Sequence, residues 1–100
     1  LPACLEYGIP FCPQRYFDLA RSMGAEVSGL SPEEGARKGV DHLRAMLRRM
    51  EFPTMGDYIT LEEARSYSKE CSENSCCVLN HRMTTPEQVE KAFALAIAKG

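Results

Sequence analysis

The chain has 100 residues, 44% hydrophobic and 26% charged, with a formal net charge of −2. Such proportions fit one globular domain spanning residues 1–100 and exclude disordered and collagen-like classes. Acidic and basic residues are interspersed without a basic stripe, which argues against nucleic-acid binding, and the apolar run at 93–98 falls far short of the roughly 20 residues that cross a bilayer.

The first nine residues carry Leu1, Ala3, Leu5 and Ile9 without a helix-start signal. They are expected to form an exposed apolar stretch that favours self-association. A helix is predicted from Pro13 to Met23, burying Tyr16, Leu19, Ala20 and Met23 and ending at Gly24, which can take the left-handed cap conformation. Residues 25–27 offer at most a weak strand.

Ser31, Pro32, Glu33 and Glu34 then form the first of three capping-box signatures, in which a hydroxyl accepts an N–H one turn in and an acidic or amide side chain reaches back. The helix that follows places Ala36, Val40, Leu43, Leu47 and Met50 at alternating steps of four and three. Arg44, Arg48 and Arg49 read as a solvated face, and His42 as a solvent-facing residue on the charged flank. After a punctuated segment at 52–59, Thr60 and Glu63 open a second boxed helix with Leu61, Ala64, Tyr67 and Cys71 on one stripe. Thr85, Pro86 and Gln88 open the last helix, with Val89, Ala92, Phe93 and Ala96 aligned and Gly100 at the end. The predicted fold is all-α, a small bundle of about four main helices.

The sharpest chemical cluster is Cys71, Cys76, Cys77 and His81, whose thiolates and imidazole are zinc-type ligands. Their spacing is poor, because the adjacent Cys76 and Cys77 diverge where zinc sites pair cysteines two to four residues apart. Cysteine nucleophilic catalysis would need His81 or His42 as the activating base. Capping and the helix dipole account for Glu33, Glu34, Glu62 and Glu63, and no Gly-rich phosphate loop is present. The residues therefore assemble no cofactor, metal or catalytic site within this chain. A free-standing helical interaction module using Met46, Met50, Phe52 and Met55 is the main alternative, and a small Cys71 to His81 metal site a lesser one. Five cysteines without a regular framework point to a reducing cytoplasm rather than a disulfide scaffold.

Leu1 and Pro2, then Leu5, Glu6 and Tyr7, then the run from Arg15 through Leu19, Ala20, Met23 and Gly24 resemble the C-terminal region of iron-containing alcohol dehydrogenases. Residues 31–50 and 60–74 stand where that family has its next two helices. Met50, Glu51, Phe52 and Pro53 occupy the place of its Gly-Ile-Pro turn, and Asn80, His81 and Arg82 that of Asn-Pro-Arg. Two departures are Asn74, where relatives commonly have Asp, and His81 in place of Pro. The resemblance implies a partial helical domain of the dehydroquinate-synthase-like kind, cut from a longer oxidoreductase that moves hydride between an alcohol or aldehyde and NAD(P). It also implies that the missing N-terminal nucleotide-binding domain and upstream metal-bearing helices hold the NAD(P) and the iron or zinc, so that this chain binds neither and is inactive alone. Within that frame Cys76 lines the substrate pocket of the parent.

Overall fold

A computed structural model describes residues 1–74, 82–83 and 85–100 of the chain. Among these, five α-helices are present and no strand: α1 Pro2–Gly8, α2 Pro13–Ser22, α3 Pro32–Arg49, α4 Leu61–Glu73 and α5 Pro86–Lys99. A single 3₁₀ turn at Met55–Asp57 precedes α4. The expected all-α character is thus met, and residues 25–27 are irregular. Intrachain packing groups the helices into two compact units, Leu1–Phe52 and Pro53–Gly100.

In the first unit, α1 is a helix where the sequence suggested none. It has seven residues, an N-cap Leu1 without a side-chain bond, and Pro2 in its first turn. So short and uncapped a helix has no stability of its own in water. Packing holds it instead: Ala3, Tyr7 and Ile9 are buried, and Ile9 joins Ala36 and Val40 in a core cluster lined by Leu5 and Tyr16. The exposed apolar N-terminus anticipated from sequence is therefore corrected, since only Leu1 and Cys4 of this segment stay well exposed.

The α2 and α3 helices meet at small residues. A Cβ on Gly39 would lie 2.3 Å from the Ala20 Cβ, and one on Gly35 would lie 2.2 Å from the Phe17 ring. Two glycines four residues apart on α3 thus let the backbones approach closely, and Ala20 is wholly buried in the contact. A second cluster, Ala20, Ala25 and Val27 with Phe17 and Leu30 against it, fills the turn between the helices. Leu19, assigned to the core from its spacing, is 40% exposed, because the close approach at Ala20 turns it outward.

The end of α3 is a Schellman closure. Glu51 donates its N–H to the Arg48 carbonyl at 3.0 Å, and Phe52 donates to the Leu47 carbonyl at 3.0 Å. This geometry requires a left-handed residue after the helix, and Glu51 supplies it at φ 55°.

In the second unit, α4 and α5 pack on each other and bury Ala64, Val89 and Ala92. Ser68 and Ser72 are buried on α4, where their hydroxyls donate to the carbonyls of Ala64 and Lys69. Arg65 donates to Glu90 at 2.7 Å across the pair. Tyr67, expected on the buried stripe, is 54% exposed. Of the three capping boxes, the reciprocal bonds are complete at Thr85 and Gln88. At Ser31 and Thr60 the hydroxyl accepts its N–H, while the Thr60 hydroxyl also donates to the Glu63 carboxylate.

Candidate functional site

The sequence places its chemistry in the segment after α4. Cys71 sits half-buried on the last turns of that helix as a free thiol. Cys76, Cys77 and His81 lie outside the described residues. The described residues therefore join only Cys71 of that cluster to the fold. Among them no group of three or more His, Cys, Asp or Glu side chains is arranged to hold a metal ion.

His42, the other histidine, is half-buried at an open recess of about 260 Å³ lined also by Ala25, Glu26, Lys38 and Asp41. The Glu26 carboxyl is held below its usual range, first by hydrogen bonding from the Ser28 side chain, then by the Ser28 N–H and by the charge of Lys38. A carboxylate stabilised in this way is a weak base. The recess brings a cation, an imidazole and two carboxylates to one surface, but nothing in it activates a nucleophile.

The best-enclosed polar feature lies between α1 and α3. Arg44 donates from Nη2 to Glu6 Oε2 at 2.8 Å, with side chains only 7% and 14% exposed. Arg37 stands 4.0 Å from the other Glu6 oxygen, and Asp41 3.9 Å from Arg44 Nη1. The solvated arginine face expected from sequence is thus corrected at Arg44: Arg48 and Arg49 face solvent, whereas Arg44 turns under α1 to meet Glu6. Its periodicity held one clue, since Arg37 and Arg44 are seven residues apart and so share a helix face. The partner was not legible because it lies 38 residues away. This pair ties a helix in place and presents no reactive atom to solvent.

Tyr16, packed against the Ile9, Ala36 and Val40 cluster, has its phenol pushed above the ordinary range, by burial first and then by the charges of Cys12 and Cys4. Both thiols are free, Cys4 exposed and Cys12 half-buried at the α2 N-cap.

Comparison with known proteins extends the picture. No family model matches the chain, and no solved structure matches it. The lactaldehyde reductase of Escherichia coli strain K12 is 28% identical over 98 residues, covering 96% of this chain and 26% of the reductase. The lactaldehyde reductase of Escherichia coli O157:H7 matches equally, at 28% over 98 residues. This chain therefore spans about a quarter of the length of the curated relatives it matches. A distant, partial likeness to lactaldehyde reductase is what the comparison supports.

Proposed function

We propose that this chain is the C-terminal helical part of an iron- or zinc-containing, NAD(P)-dependent alcohol dehydrogenase, acting on a small alcohol or aldehyde in a cytoplasmic parent. One observation carries the reading: the likeness to lactaldehyde reductase runs through 96% of this chain yet occupies 26% of the relative. It agrees with the order of motifs from Leu1 and Pro2 through Arg82. Among the described residues no group of three or more His, Cys, Asp or Glu side chains is arranged to hold the implied metal. In this reading the nucleotide and metal sites belong to a preceding domain, and Cys76 borders the substrate pocket of the parent. The chain's own work, in this reading, is to supply helices that pack against that domain.

The test compares two proteins. The chain alone should show no NAD(P)-dependent reduction of lactaldehyde, whereas the polypeptide extended upstream in the same reading frame should catalyse it. In that longer protein, Cys76→Trp should raise KM more than it lowers kcat, because it narrows a pocket without removing a reacting group. Activity in the isolated chain, or an upstream sequence without a nucleotide domain and an Asp/His metal cluster, would overturn the reading.

One observation favours a second role. Met46, Met50 and Phe52, named from sequence as an interaction surface, are 38%, 64% and 60% exposed, while Met55 is half-buried.

A further inference from the structure

We draw no further inference here: the strongest candidate, the open recess where Ala25 and Glu26 of the α2–α3 turn face Lys38, Asp41 and His42 of α3, sets one cation and an imidazole against two carboxylates, and nothing in the structure shows what would occupy it.

Discussion

Arg44 is where a single side chain carries the most. Its guanidinium is enclosed between α1 and α3, and its Nε has no hydrogen-bond partner among the described residues, so the Glu6 carboxylate is its principal compensation. Removing one member of such a pair strands a charge, at a cost of about 3 to 5 kcal/mol. Arg44→Met should therefore lower the denaturation midpoint strongly, whereas Glu6→Leu combined with Arg44→Met should recover most of the loss. Urea titrations of the unmodified chain, of Glu6→Leu and Arg44→Met singly, and of the double variant check the cycle, and additive losses would refute the pairing. Glu51 is a second special residue. Its left-handed backbone opposes an L side chain by about 1 kcal/mol, so Glu51→Gly should stabilise the chain by roughly that amount. Tyr16 links stability to pH. Its folded phenol ionises above its unfolded one, so the native state keeps the proton longer. That contribution is fully present below the ordinary tyrosine range and is lost as pH rises through the folded value. A Tyr16→Phe variant should lose less stability than the parent chain between neutral and strongly alkaline pH.

At the scale of helices, the α2 and α3 contact discriminates between two glycines. Gly39→Ala would drive a methyl into Ala20, whose Cβ and Cα would lie 2.3 and 2.9 Å away, so the backbones must part. Overpacking of this kind costs about 1 to 3 kcal/mol, of which helix propensity returns less than 1. Gly35→Ala meets only the Phe17 ring, which can rotate aside, and should be nearly neutral. Thermal unfolding of the two variants should rank them in that order. The caps were the most legible part of the sequence, because Ser31, Thr60 and Thr85 act on N–H groups three residues on, and such bonds need no knowledge of the fold. Thr85→Ala should cost about 1 kcal/mol. Burial was legible only in part. Ala36, Val40, Leu43, Ala64, Val89 and Ala92 are buried on their predicted stripes. Leu19, Met50 and Tyr67 share the same periodicity yet are exposed, because a stripe shows which face is apolar and not how far the neighbouring helix reaches. The close approach at Gly39 was equally hidden, since glycine inside a helix reads as a weakness until a partner backbone is known.

For the whole chain, the all-α class followed from periodicity, whereas α1 did not, because it rests on contacts with α3 rather than on its own sequence. Of the candidate chemistry, Cys71 is placed on a helix, and Cys76 enters the argument only through resemblance. The tie between Glu6 and Arg44 also has a consequence in time. It joins residues 38 positions apart, and the helix it secures has no cap to nucleate it. Local turns close before distant ones, so α1 should dock after α2 and α3 have paired and should be the first element to come away. In native-state hydrogen exchange, the Leu5 and Ile9 amides should exchange through a low-energy opening. The amides of Val40 and Leu43, mid-way along α3, should wait for the larger unfolding of the unit.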